Sequence, residues 1–92
     1  MYFVYMIKNS YNNLYIGVID NPERRLKEHN TKQGANFTRN RDEFSIVFLE
    51  EYQTLSDTRK REIQIKKWRR EKKDFLIDLY NKNLPTKIKT IY

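Results

Sequence analysis

The chain has 92 residues, 19 of them Lys or Arg against 12 Asp or Glu, for a formal charge of +7. At 38% hydrophobic and 14% aromatic it can form one small core, and at this length a single domain is expected. The absence of cysteine excludes a disulfide framework, a thiol nucleophile and thiolate-bound zinc or iron–sulfur clusters, and the single histidine excludes sites that need two. No run approaches the roughly 18 apolar residues of a membrane span, and Met1 to Ile7 lacks the basic flank of a signal peptide. An unprocessed cytoplasmic protein with no membrane partner is the expectation.

Tyr2 to Lys8 is an apolar run rich in aromatic and β-branched residues, which predicts a strand buried on both faces. Asn9 to Asn13 is a turn cluster, and Leu14 to Ile19 a second strand closing a hairpin. Gly17 inside that strand points to a bulge or to close approach by another group. Asn21-Pro22-Glu23 is a helix start, with a capping side chain, proline at the first helical position and an acid in the first turn. That helix runs to His29 with Leu26 as its core anchor, and Thr31 to Glu43 reads as a polar, basic loop around Gly34.

Phe44 to Tyr52 is a third strand. Ser56 reads as the cap of a helix reaching about Arg70, with Leu55, Ile65 and Trp68 inward and Ile63 alongside. A further helix over Asp74 to Asn81 is expected to turn Phe75, Leu76, Leu79 and Tyr80 inward and to stop at Pro85. Residues 1–82 form the expected domain, and 83–92 a tail whose last part, Lys87 to Tyr92, is loose or adds an edge strand. The order β-β-α-β-α-α defines an α+β fold with a small, mainly antiparallel three-stranded sheet flanked by helices.

The charge excess is local. Arg59 to Lys73 holds nine basic residues and two acidic ones, a net of +7, while the remainder is balanced. A lysine- and arginine-rich helix is often only a solvated face, but here few acids interleave to form i,i+4 pairs. Trp68 lies within the run, and the Thr31 to Glu43 loop adds Lys32, Phe37, Thr38, Arg39 and Arg41. Basic surface with interspersed aromatics matches a phosphodiester polymer. Arg59, Lys66, Lys67, Arg69 and Arg70 are the candidate phosphate contacts of the basic helix.

Glu62, a carboxylate among these bases, has two readings. It can form an ordinary surface salt bridge with Lys66 at i+4. It can equally serve as a hard oxygen ligand for Mg²⁺, which commonly uses one or two carboxylates completed by phosphate and water. Arg25 and His29, also i,i+4, share a helix face and could respectively contact a phosphate and pass protons. Tyr5 and Tyr15 are ordinary strand residues, and either could act as a base only if cations lowered a pKa that is normally ~10.

Taken together and in this order, these residues resemble the GIY-YIG nuclease superfamily. The first signature stands as Phe3-Val4-Tyr5, with Phe in place of Gly, and the second as Tyr15-Ile16-Gly17. Arg25 follows Tyr15 by ten residues, and His29 lies one turn later. The string Tyr15 to Asn30, the Gly34…Phe37-Thr38-Arg39 loop and Arg61 to Lys66 followed by Trp68 resemble the small stand-alone, UPF0213-like members, which are akin to the nuclease domain of the excision-repair incision subunit. The likeness spans roughly residues 2 to 80.

The resemblance implies a three-stranded antiparallel sheet carrying a single Mg²⁺ or Mn²⁺ site and no small-molecule cofactor. By the same resemblance Glu62 is the metal ligand. Tyr5 and Tyr15 are the signature tyrosines, one of which orients or deprotonates water. Arg25 steadies charge on the scissile phosphate, and His29 supports proton transfer. Val18 departs from the Lys or Thr of many relatives. The implied activity is a divalent-metal-dependent endonuclease acting on DNA, selective for structure or strandedness, with RNA a further substrate class. The alternative is a nucleic-acid-binding module that keeps the fold with weak or no catalysis.

Overall fold

A computed structural model describes residues 1–21, 24 and 43–87. Three strands, β1 (Tyr2–Lys8), β2 (Leu14–Ile19) and β3 (Ser45–Tyr52), form an antiparallel sheet of order β2-β1-β3, followed by helices α1 (Leu55–Lys66) and α2 (Arg70–Asn81). This is the α+β arrangement expected from the sequence. Among the described residues no helix is long and apolar enough to cross a membrane.

The β1–β2 hairpin closes through Asn9, whose Oδ1 accepts from the Tyr11 and Asn13 amides at 3.1 and 2.9 Å. Asn12 takes a left-handed φ of 68°, which asparagine tolerates better than most residues. β1 is the central strand, so both of its faces are covered. Val4 and Met6 join Phe48, Ile65, Leu76, Ile77 and Leu79 on one side. Tyr5 and Ile7 pack with Phe44 on the other, bordered by Ile19, Ile46 and Leu49. A register shift between Met6 and Ile7 leaves Val47 as an extra residue in β3.

Asn21 caps the start expected for the first helix, its Oδ1 accepting the Arg24 amide at 3.1 Å. The rest of that helix, with Arg25, Leu26 and His29, lies outside the described residues, as does the loop with Lys32, Phe37, Thr38, Arg39 and Arg41.

Three helical details differ from the sequence reading. The cap of α1 is Thr54, not Ser56: its hydroxyl accepts from the Asp57 amide at 3.1 Å, with Ser56 already inside the first turn. The inward stripe of α1 is Thr58 and Ile65, while Leu55 and Ile63 are exposed. The basic run does not continue as one helix to Arg70. The Lys67 and Trp68 amides bond three residues back, to Gln64 and Ile65, and Arg69 is extended at ψ 160°, restarting the chain as α2. Arg70 opens the second helix, where it pairs with Asp74 at i,i+4 and 3.0 Å.

Restarting at Arg70 also sets which face of α2 is buried. Leu76, Ile77 and Leu79 are inside with Tyr80 beside them, and Phe75 is 58% exposed. The helix ends at Asn81, before Pro85, and Asn83, with φ of 58°, lets the Leu84 amide bond Leu79 O at 2.9 Å. This is a Schellman closure with asparagine in the left-handed position.

Candidate functional site

Strand pairing places Tyr5 directly opposite Gly17. The phenol end of the ring lies against the glycine, so that a Cβ on residue 17 would stand 2.6 Å from Tyr5 Oη and 2.8 Å from Cε2 and Cζ. Carbon atoms pack at ~3.5–4.0 Å, so no side chain fits there. Gly17 has no positive φ. It is required for space, not for backbone freedom, and of the two sequence readings close approach is the one realised. Gly17 thus directs the Tyr5 hydroxyl over β2, while the body of the ring is 6% exposed.

Tyr15 lies two residues before Gly17 and so shares its face. It is cross-strand partner to Ile7 and packs edge-on against Phe44, ring centroids 5.2 Å apart at 80°. Half of Tyr15 remains exposed. One tyrosine is therefore buried and fixed, while its neighbour is held at one edge and open to solvent.

Glu62 comes from α1 on the same helical side as Thr58 and Ile65, both fully buried, at spacings of four and three residues. Its side chain is only 12% exposed. Lys66 Nζ stands 3.1 Å from Oε2, so the salt bridge that the sequence allowed does form. Lys66 itself is half exposed, and pairs of that kind contribute only about 0.5 kcal/mol. A largely buried carboxylate paired, among the described residues, with one half-exposed cation differs from a surface ion pair. Among the described residues no three His, Asp or Glu side chains converge on one point. As a hard oxygen donor, Glu62 fits a cation that takes one protein carboxylate and completes its shell with substrate oxygen and water, as Mg²⁺ commonly does.

The structure brings Tyr5, Gly17 and Tyr15 together on one sheet face. Glu62 arrives on α1, which docks through Ile65 into the cluster of the other face. Arg25 and His29 lie outside the described residues.

The basic segment is less uniform than its composition suggests. Arg61 is engaged in the interior, Arg70 pairs with Asp74 and donates to Asn12 Oδ1 at 2.9 Å, and Lys66 pairs with Glu62. Lys72 lies over the Trp68 ring at 4.2 Å. Arg59, Lys60, Lys67 and Arg69 are exposed and form no ion pair among the described residues, so they are the cations most open to a polyanion.

Sequence reasoning missed a buried polar network beside α1. Glu50 is 3% exposed and lies on the inner face of β3. Arg61 donates from Nε to Glu50 Oε1 at 2.7 Å and from Nη2 to Oε2 at 3.3 Å. Tyr52 Oη donates to Oε1 at 2.5 Å and Thr86 Oγ1 to Oε2 at 2.7 Å. Burial and then the hydrogen bond to Glu50 hold the Tyr52 phenol well above the usual tyrosine range. Strand alternation carried the signal: with Glu50 and Glu51 adjacent in an apolar strand, one of them must face inward. The neighbouring groove, lined by Leu49, Tyr80, Leu84 and Lys87 among others, includes none of the site residues singled out from the sequence.

The GIY-YIG catalytic domain, as a family model, matches residues 1–74. UPF0213 proteins of Staphylococcus aureus strains Mu3 and N315 are each 41% identical over 76 residues, covering 83% of this chain and 93% of theirs. The solution NMR structure of a UPF0213 protein from Bacillus halodurans aligns with a TM-score of 0.55 at 29% identity, covering 86% of this chain and 85% of that one. The three-stranded α+β arrangement agrees with that structural match. The chain belongs to the GIY-YIG family, a nuclease superfamily.

Proposed function

We propose that this protein is a divalent-metal-dependent endonuclease that hydrolyses phosphodiester bonds in DNA, selecting structure or strandedness over sequence. The observation that carries the reading is Glu62, an acid 88% removed from solvent on the inward side of a basic helix and paired, among the described residues, with a single half-exposed lysine. A purely structural carboxylate at that depth would be expected to have several donors, as Glu50 does.

Glu62, with phosphate oxygens and water, would hold one Mg²⁺ or Mn²⁺, which when bound supplies positive charge at the phosphoryl and leaving oxygens. Lys66 is free to move from the carboxylate to a phosphate. Arg59, Lys67 and Arg69 draw the backbone in through charge and carry no sequence information. Tyr5, fixed over Gly17, and the more open Tyr15 orient the attacking water by hydrogen bonding, and one of them accepts its proton. Arg25 supplies fixed positive charge where the transition state builds negative charge, and His29 carries the proton onward. With a single carboxylate in the set, a one-ion mechanism is the simpler assignment.

A panel of single-stranded, duplex and branched DNA, with RNA alongside, tests this reading in Mg²⁺ and in Mn²⁺. Cleavage of at least one DNA substrate, abolished by chelator, is the expected result. Tight binding to every substrate without metal-dependent cleavage would favour the alternative, a binding module retaining the fold.

A further inference from the structure

Arg61 is adjacent in sequence to Glu62 but faces elsewhere. Its guanidinium donates to both oxygens of Glu50, to Gln64 Oε1 at 2.7 Å and to the Thr86 carbonyl at 3.1 Å, and it lies 5.2 Å from the Trp68 ring centroid. With its donors bound to the sheet, to its own helix and to the segment after α2, this arginine is not available to phosphate. The same Glu50 carboxylate also accepts from Tyr52 and Thr86, so β3, α1 and the segment after α2 meet on one buried acid.

We propose that Arg61 is a positioning residue: its fork onto Glu50, closed by Thr86, fixes the rotation of α1 and thereby aims the Glu62 carboxylate. Successive residues on a helix are about 100° apart, so fixing the direction of Arg61 fixes that of Glu62. Arg61 suits this role because its planar fork is bound at several points, whereas a lysine at this position would hold Glu50 through a single rotatable ammonium. Residues 83–87 then belong to the support of the site. Asn83 turns the chain, and Thr86 returns to Glu50 through both its hydroxyl and, by way of Arg61, its carbonyl.

The inference rests on Glu62 as the metal ligand, and the experiment separates the two ideas. Native protein, Arg61→Lys, Thr86→Val, Glu62→Ala and the core control Ile77→Val are compared at a temperature where circular dichroism shows each folded. Mn²⁺ affinity is measured by calorimetry without DNA, and kcat and KM are measured on the best DNA substrate. Arg61→Lys and Thr86→Val should each weaken Mn²⁺ binding at least fivefold and lower kcat at least tenfold. KM should stay within about twofold, because the exposed phosphate-binding cations are untouched. Ile77→Val should leave all three near native.

If Arg61→Lys does not fold, Thr86→Val decides alone. Native Mn²⁺ affinity and kcat in the folded network variants would overturn the positioning role, and so would an equal loss in Ile77→Val. Failure of native protein to exceed Glu62→Ala in Mn²⁺ binding or cleavage would instead overturn the metal-site reading, and the positioning role with it.

Discussion

Gly17→Ala is the smallest change that should disturb the tyrosine face. The new methyl would sit 2.6 Å from Tyr5 Oη and 2.8 Å from two ring carbons, so the ring must move by about 1 Å to reach normal contact. The ring is hemmed in by Ile7, Phe44, Ile19, Ile46 and Leu49, which leaves it little room to turn aside. Overpacking of this kind costs about 1–3 kcal/mol. Removing a glycine from the unfolded chain offsets about 0.4–1 kcal/mol. The net expectation is a loss of about 0.5–2 kcal/mol, which for a chain of this size lowers Tm by about 2–16 °C.

The effect on chemistry should be larger than the effect on folding. A displacement of about 1 Å in a positioned group can cost about 100-fold in rate, so cleavage should fall by that order at temperatures where the variant is fully folded. Denaturant unfolding followed by circular dichroism gives the first quantity, and single-turnover cleavage the second. A Gly17→Ala/Tyr5→Leu double variant should recover stability relative to the sum of the single changes, because the clash has no partner left. Native stability together with native cleavage in Gly17→Ala would refute the reasoning, since it would show that the ring has slack.

Arg61→Ala should destabilise by about 3–5 kcal/mol in denaturant titration, because it leaves Glu50 buried and uncompensated; a loss below about 1 kcal/mol would mean that water reaches the carboxylate. Tyr52 has its pKa raised in the folded protein, so its contribution to stability is complete below the unfolded value of about 10 and declines as pH rises beyond it. Tyr52→Phe should abolish that part of the alkaline decline, and an identical profile in both proteins would contradict the assignment. Replacing Lys67 and Arg69 by glutamine should reduce the slope of log affinity for duplex DNA against log salt by about 1.8. An unchanged slope would remove that corner from the DNA interface.

The sheet was legible because its signals are local. An aromatic and β-branched run, an asparagine-rich turn and a second such run leave little choice but a hairpin, and Gly17 announced a close neighbour without naming it. Tyr5 as that neighbour follows only from register. The helices were harder to read, because a run dominated by cations has no local mark for where one helix ends, and the break at Lys67–Arg69 coincides with Trp68 packing against the core. An error in phase then exchanges Phe75 for Ile77 on the buried face.

Of the candidate site, the family resemblance singled out Tyr5, Tyr15 and Glu62, which residue type and spacing alone left as ordinary strand residues and a possible surface ion pair, and neither gave the burial that distinguishes Glu62 from its neighbours. The Glu50–Arg61–Thr86 network was hidden because its members lie 11 and 25 residues apart and meet only through the tertiary fold.

The most direct test of the account compares native protein with Glu62→Ala on the same DNA, measuring single-turnover cleavage in Mg²⁺ and equilibrium binding without metal. The account predicts that cleavage falls at least about 100-fold while binding stays within about twofold, because Glu62 serves the reacting phosphate and not the grip on the backbone. Equal cleavage by the two proteins would contradict it.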